Sequence, residues 1–401
     1  MKKPSLLVIF LTVFIDLIGF GLVLPLLPRY ADRFGAPGWG IGLIISSYSI
    51  MQFFFTPWWG KLSDQIGRRP VILVSTTGST ISYVLFALAS GMEGASGLWM
   101  LLVSRVFAGI AGANLSVASA YIADVTTREN RSKGMGLIGV AFGLGFMIGP
   151  AIGAFSAKLF GLTGPGWVAA AICGTNFILA CAILAESRKS SSEPVPDRPK
   201  FDQWLHTLRQ PRLGFLIGVF FLAAFCFACF ETTLSLLLGR TFQYDETRLG
   251  YLFAYCGLIS ILVQGVMGRL VRRFGEPGLI CTSLVGIGVS LALLPFMGSL
   301  LTMLMALGLY TIFSSINRAP TMGMISMNAP ENEQGNTLGV AQSAGTLARI
   351  FGPIFAAWLY SFRPALPYVI CAGVAVVAAV LAWFYLIRGD RSVEMSTANP
   401  A

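Results

Sequence analysis

The stretch "GKLSDQIGRRP", residues 60–70, sets Lys61, Arg68 and Arg69 in a glycine-bounded turn between two long apolar runs. A helix needs about 20 predominantly apolar residues to cross the hydrocarbon core, so such a cluster marks where the chain leaves the bilayer and turns back. A second stretch, "GRLVRRFGEPG" at 268–278, repeats the pattern roughly 200 residues later. The stretches "ENRSKGMG…FMIGPAIGA" (129–154) and "ENEQGNTLG…RIFGPIFAA" (331–357) repeat at nearly the same spacing. An internal repeat in a polytopic chain implies related bundles with a site between them, which is transporter logic.

Composition agrees. Of 401 residues, 55% are hydrophobic and only 11% charged, against about a quarter charged in soluble domains. The net charge of +10 is spread over short gaps between apolar runs, with no basic arm or nucleic-acid signature, so no nucleic-acid partner is expected. The seven cysteines lie in apolar segments, an odd number that argues against a disulfide framework. Cys226 and Cys229 have CxxC spacing, but their apolar neighbours favour packing. His206 lies in a polar linker and reads as a solvated surface residue, so no metal site is expected. Met1-Lys2-Lys3 starts like a signal peptide, but the apolar run after it carries Asp16 and lacks a small-residue cleavage site, so a retained first span is expected.

Twelve spans follow: 5–28, 39–59, 70–90, 98–122, 133–158 and 165–186, then 212–238, 247–267, 278–296, 300–326, 333–360 and 366–388. The expected fold is all-α and integral to the membrane, with an N-terminal six-helix bundle (1–186), a linker (187–211) and a C-terminal six-helix bundle (212–401). One short surface helix is expected near Phe201 to Leu208. With the N-terminus cytoplasmic, nineteen of the 28 Lys/Arg fall on the cytoplasmic side. Six (Arg29, Arg33, Lys158, Arg240, Arg248, Arg363) fall outside and three (Arg105, Arg318, Arg349) within spans. The positive-inside rule then places both termini and the linker in the cytoplasm of a plasma (inner) membrane protein.

These motifs resemble those of the major facilitator superfamily, and specifically its drug–proton antiporter branch with twelve transmembrane helices. "GKLSDQIGRRP" is similar to that family's loop 2–3 signature, "RVFAGIAGA" (105–113) to its span-four motif, and "GLGFMIGPAIGA" (143–154) to its span-five antiporter motif. "DLIGFGLVLPLLP" (16–28), "YSIMQF" (48–53) and "AYIADVTTRENRSKG" (120–134) resemble tetracycline exporters. The resemblance implies a gating loop of Gly60, Asp64, Gly67, Arg68 and Arg69, with Arg68 paired to Asp124 at the end of span four. It also implies that Gly145, Gly149, Pro150 and Gly153 form an interface controlling leakiness. On residue type alone, the three glycines recur every fourth position and permit close helix approach, and Pro150 bends its helix. The exporters' polar residues in spans three, eight and nine are not matched: Ser82 and Ser260 stand at two positions, and span nine has no acid. Glu231 has no counterpart in them.

Ionisable groups inside spans are costly and usually face a cavity or a partner. Asp16 lies about 16 Å into span one, and Glu231 and Arg105 lie at similar depths in spans seven and four. Burial in low dielectric favours a carboxylic acid's neutral form, so Asp16 and Glu231 are the expected proton carriers, with Arg105 adjusting their affinity. A static salt bridge is the alternative. The expected cavity is lined by Asp16, Phe20, Arg105, Phe227 and Glu231, while Arg318 and Arg349 suit a structural role or substrate contact equally well. The expected function is proton-coupled export of a drug-like or amphipathic small molecule by alternating access, as a monomer without cofactor. A metabolite or lipid carrier of the same fold, working by symport or uniport, is the alternative within transporters. A receptor or membrane enzyme is the alternative outside them, without a nucleophile–His pair or paired-acid motif to support it.

Overall fold

The computed structural model describes residues 4–112, 114–126, 131–188, 201–329 and 334–388. Parts of the linker (189–200), of the two repeated "EN" stretches (129–130 and 331–333) and the tail from 389 lie outside the described residues. The described chain is helical nearly throughout, because a backbone in hydrocarbon must satisfy its own N–H and C=O groups.

In chain order the helices are α1 (Leu6–Val23), α2 (Leu27–Arg33), α3 (Gly38–Ile66), α4 (Arg68–Ser90), α5 (Gly94–Ala111), α6 (Asn114–Val125) and α7 (Arg131–Phe160). Then come α8 (Gly164–Ile183), α9 (Phe201–Arg209), α10 (Pro211–Phe242), α11 (Glu246–Leu293), α12 (Leu300–Asn328), α13 (Gln334–Phe362) and α14 (Leu366–Ala382). The linker helix expected near Phe201 to Leu208 is α9, and His206 on it is exposed.

Breaks fall at residues that cannot continue a helix. Pro25 tightens Leu24–Leu26 into a 3₁₀ turn between α1 and α2, so the first apolar element runs on to Arg33. Gly275 (φ 68°, ψ 157°) interrupts α11 where Gly67 (φ 104°, ψ 161°) separates α3 from α4 in the first half. Both positions lie in the left-handed range that favours glycine, at matching places in the two repeated motifs. Among the described residues nine segments are long and apolar enough to cross a membrane, where the sequence predicts twelve. Two of the nine, Val140–Ile183 and Thr247–Phe296, are 44 and 50 residues long, each more than a single crossing requires.

Contacts divide the chain into two units, one comprising Met1–Pro196 with Leu234–Gly257, the other Asp197–Thr233 with Leu258–Ala401. The core of the first joins Ile9, Val13 and Leu17 of α1 to Val71 and Ile72 of α4, Tyr121 and Ile122 of α6, and Ala180 of α8. The second packs Leu213, Leu216 and Phe220 of α10 against Ile280 and Leu284 of α11, Val340 and Ala344 of α13, and Ala378 of α14. Large apolar side chains also stand on the outside, among them Trp39, Trp99, Phe155, Phe160 and Phe296. An apolar exterior over an apolar core suits a protein solvated by lipid, and the chain is a multi-pass integral membrane protein.

Candidate functional site

Three groups of residues carry the polar chemistry, two in the first unit and one in the second. The first is the turn at 60–70. Arg68 Nη1 lies 2.5 Å from Asp64 Oδ1, one helical turn earlier, and its Nε donates to Asp124 Oδ2 at 3.2 Å. Arg68 Nη1 also donates to Ser63 Oγ at 2.6 Å. Arg68 thus contacts both carboxylates, and the fork geometry of guanidinium lets one side chain serve the two.

A further acid, Glu186, completes this network, and sequence reading missed it. Its carboxylate accepts from the backbone N–H of Arg68 at 2.8 Å and of Arg69 at 3.0 Å. Those are the first donors of α4, which have no intrahelical acceptor and carry the positive end of the helix dipole. Gly67 makes room for it: a methyl group there would stand 2.5 Å from Glu186 Oε2. Ser187 hydroxyl then donates to Asp124 Oδ2 at 2.9 Å, and Arg188 donates to the Gln65 carbonyl. Arg69 reaches the Cys181 carbonyl at 3.0 Å. The start of the linker is thus bound onto the turn.

The second group lies inside the first bundle. Asp16 on α1 is half-buried, with the Cys173 thiol of α8 donating to its Oδ1 at 4.0 Å. Tyr83 of α4 is buried within electrostatic reach of Asp16, Cys173, Arg105 and Tyr48. Gly19, nearly one turn above Asp16, permits this approach, since a methyl there would stand 2.9 Å from Cys173 Sγ and 3.2 Å from the Tyr83 ring. Arg105 of α5 is only 2% exposed, its guanidinium 5.7 Å from the Tyr83 ring centre and 5.4 Å from that of Phe86. Such stacking partly offsets the loss of water around a cation. Its Nε donates weakly to Ser104 Oγ at 3.4 Å, while Nη2 is buried without a hydrogen-bond acceptor. Arg105 is therefore sealed within the bundle. Phe20 packs between Tyr48, tilted at 5.1 Å, and Phe146, edge-on at 5.9 Å between ring centres.

Gly145, Gly149 and Gly153 pack on the same helix that carries Asp16. Methyl groups at Gly145, Gly149 and Gly153 would collide with the backbone of α1 at Leu17, Gly21 and Leu22, at 3.0 Å or less. The every-fourth-residue spacing does place all three on one face, and that face meets α1. Pro150 and Ala154 meet residue 250, where a methyl on Gly250 would stand 2.5 Å from the Pro150 carbonyl. Gly257 likewise abuts Met147. Nearby, Thr247 hydroxyl donates to the Ala154 carbonyl at 3.4 Å, Arg29 donates to the Tyr244 carbonyl, and Arg240 lies 3.8 Å from Asp32.

The third group is in the second unit. Glu231 of α10 is half-buried within electrostatic reach of Arg349 on α13, and Arg349 is within reach of Arg318 on α12. Both arginines are solvent-accessible although they stand well inside their helices. Arg349 donates to Thr346 at 3.3 Å, and Gln342, Thr346 and Arg349 lie along one polar stripe of α13. Phe227, one turn before Glu231, is 39% exposed, while Phe230 is buried against Tyr310 with ring centres 4.0 Å apart. Cys226 and Cys229 are buried, donating to the carbonyls of Cys371 and Gly352 at 3.6 and 3.4 Å. Of the two positions where exporter polar residues are unmatched, Ser82 is buried and returns its hydroxyl to the Ser79 carbonyl, and Ser260 accepts from Ser315 at 3.0 Å. No group of His, Cys, Asp and Glu among the described residues has a metal-binding arrangement.

The Major Facilitator Superfamily profile matches residues 9–280 and 216–400. The class E tetracycline resistance protein of Escherichia coli is 32% identical over 93% of this chain and 93% of its own length. Major facilitator superfamily domain-containing protein 10 of Mus musculus is 28% identical over 95% of this chain and 93% of its own. The crystal structure of the human organic anion transporter MFSD10 (TETRAN) superposes with a TM-score of 0.70 at 27% identity, covering 95% of this chain and all of that one. These similar proteins are transporters, and the chain is a secondary-active transporter of small molecules. With the repeated turns at Gly67 and Gly275, the multi-pass all-α architecture and a profile spanning nearly its whole length, the chain belongs to the Major Facilitator Superfamily.

Proposed function

We propose that this protein is a proton-coupled carrier of an amphipathic organic anion, working by alternating access between two six-helix bundles. The observation that carries the reading is the pair of accessible arginines, Arg318 and Arg349, within reach of one another in the interiors of the long helices α12 and α13. Two cations so placed favour a carboxylate or phosphate-like group, which guanidinium binds through two parallel hydrogen bonds. Carrying a proton with the anion reduces the charge that must cross the hydrocarbon, and Glu231 beside Arg349 and Asp16 in the first bundle are the proton carriers. The likeness to the organic anion transporter supports the same charge preference.

In this reading the two long segments each cross twice and α13 crosses once more, which restores twelve spans. The termini, the linker and the Arg68 network lie on the cytoplasmic side of the inner membrane. There the Asp64–Arg68–Asp124 contacts hold one conformational state, and the glycine face of α7 keeps the bundle tight.

Uptake into proteoliposomes under an imposed pH gradient tests the proposal, using fluorescent organic anions, organic cations and tetracycline. Gradient-driven flux of anions, lost in Arg349→Ala, is the expected result. A second reading, export of a tetracycline-like drug in exchange for protons, is favoured by the 32% identity to the class E protein. Flux of tetracycline or cations alone, unaffected by Arg349→Ala, would replace the anion reading with that one.

A further inference from the structure

The second unit carries an exposed groove that the transport reading does not use. It runs between α12, α14 and the part of α11 beyond the Gly275 turn, with a volume of about 770 Å³. Val285 and Val289 of α11 form one wall and Val376 and Val380 of α14 the other, and all four are exposed. Glycines bring the helices together beneath them. Gly286 lets the Phe313 ring of α12 lie against α11, and a methyl on Gly288 would stand 2.9 Å from Val376. About one turn away the buried Asn317 amide donates to Ser283 at 2.9 Å and fixes α12 to α11. No charged side chain among the described residues lines the groove, and Thr282 returns its hydroxyl to the Gly278 carbonyl at 2.8 Å. Such a surface favours hydrocarbon over a polar solute.

The groove has one charged end. Ile280, Cys281 and Leu284 of α11 cluster with Ala379 and Ala382 of α14, so the end of α14 meets the stretch of α11 that follows the turn. Trp383, which lines the groove just after α14, therefore stands at the same end as Arg269, Arg272 and Arg273, which precede Gly275. All three arginines are exposed, with Glu276 the one acid in the 268–278 motif, and none is in an ion pair among the described residues. Arg272 donates to the Gly268 carbonyl at 3.2 Å, and the Arg273 guanidinium lies 5.5 Å from the Phe274 ring centre.

We propose that this groove holds an acyl chain of an anionic phospholipid whose head group is bound by Arg272 and Arg273 at the turn. An apolar channel beside a net positive turn matches a molecule that is hydrocarbon at one end and anionic at the other. An indole at the mouth suits the boundary between acyl chains and head groups, where tryptophan is enriched. The bound lipid fills the space between three helices of the second unit. The inference is independent of the substrate and of the role given to Arg318 and Arg349.

Native mass spectrometry tests it on the purified full chain, stripped of lipid and then given phosphatidylglycerol or phosphatidylcholine with the same acyl chains. Wild type should retain phosphatidylglycerol about tenfold more than phosphatidylcholine. Arg272→Gln combined with Arg273→Gln should bring the two lipids to parity. Val285→Trp, which fills the groove, should lose the retained lipid. Val377→Trp, which adds the same bulk at an exposed position outside the lining, should keep it. Melting temperatures of the lipid-free proteins show which variants fold, and Val289→Trp fills the same groove should Val285→Trp not fold. Equal retention of both lipids by wild type, or undiminished retention in the groove-filling variant, overturns the proposal. Displacement of the lipid by a fluorescent organic anion that itself requires an unfilled groove also overturns it, and gives the groove to a substrate.

Discussion

The two units hold their intramembrane cations in opposite ways. In the first, Arg105 is 2% exposed between two aromatic rings, and Arg68 at the bundle's end is tied to two carboxylates. In the second, Arg318 and Arg349 keep accessible surface, and Arg349 donates to the Thr346 hydroxyl within reach of Glu231. The difference teaches that an arginine in a span is not one kind of feature. A sealed guanidinium packs within its own bundle, whereas an accessible one is, in the proposed function, the charge that meets the substrate.

The comparison can be broken most sharply at Arg105. Arg105→Ala should lower stability by about 3 kcal/mol, because it empties a packed site and unstacks two rings. Arg105→Met, which fills the volume without charge, should stay within about 1 kcal/mol of wild type. Thermal unfolding in detergent measures both, and equal losses would mean that charge rather than packing holds the site. At Gly67, alanine should cost about 2 kcal/mol, since the backbone lies in a glycine range and the methyl meets Glu186. Unchanged melting there would remove the tie between the turn and Glu186.

Arg349→Ala sharpens the other side. Anion flux should fall about tenfold or more while the melting temperature stays put; a stability loss like that of Arg105→Ala would erase the contrast between the units. The smallest effect is expected from Glu186→Gln, which keeps the shape and removes the charge at the start of α4. A loss of about 0.5 kcal/mol, shrinking with added salt, is the outcome expected for a helix-dipole contact.

Much of the first unit's end was legible in the sequence. Asp64 and Arg68 stand one helical turn apart, and the glycines of α7 recur at a spacing that fixes a common face. The repeat also foretold matching turns, and Gly67 and Gly275 carry them. Glu186, Tyr83 and Cys173 were not legible. Glu186 meets Arg68 across 118 residues of chain, and Cys173 meets Asp16 across 157. In a soluble helix the polar face would show which side is out, but lipid-facing and core-facing sides of these helices are both apolar. Periodicity therefore gave no direction for Tyr83, and nothing marked Arg105 as sealed and Arg349 as open. The count of nine segments against twelve has another origin: Val140–Ile183 and Thr247–Phe296 each run on as one long apolar element, and α13 is not among the nine.

The contact between Glu186 and the Gly67 turn also bears on how this chain can be divided. Expressed as two separate fragments, the protein should reassemble when the cut falls after Arg188, because the first fragment then carries Glu186, Ser187 and Arg188 with their partners. A cut before Glu186 would leave the amino end of α4 without its counter-charge and Asp124 without the serine. The boundary that a hydropathy plot assigns to the linker lies inside a folding unit, and any chimera or tag insertion has to respect it.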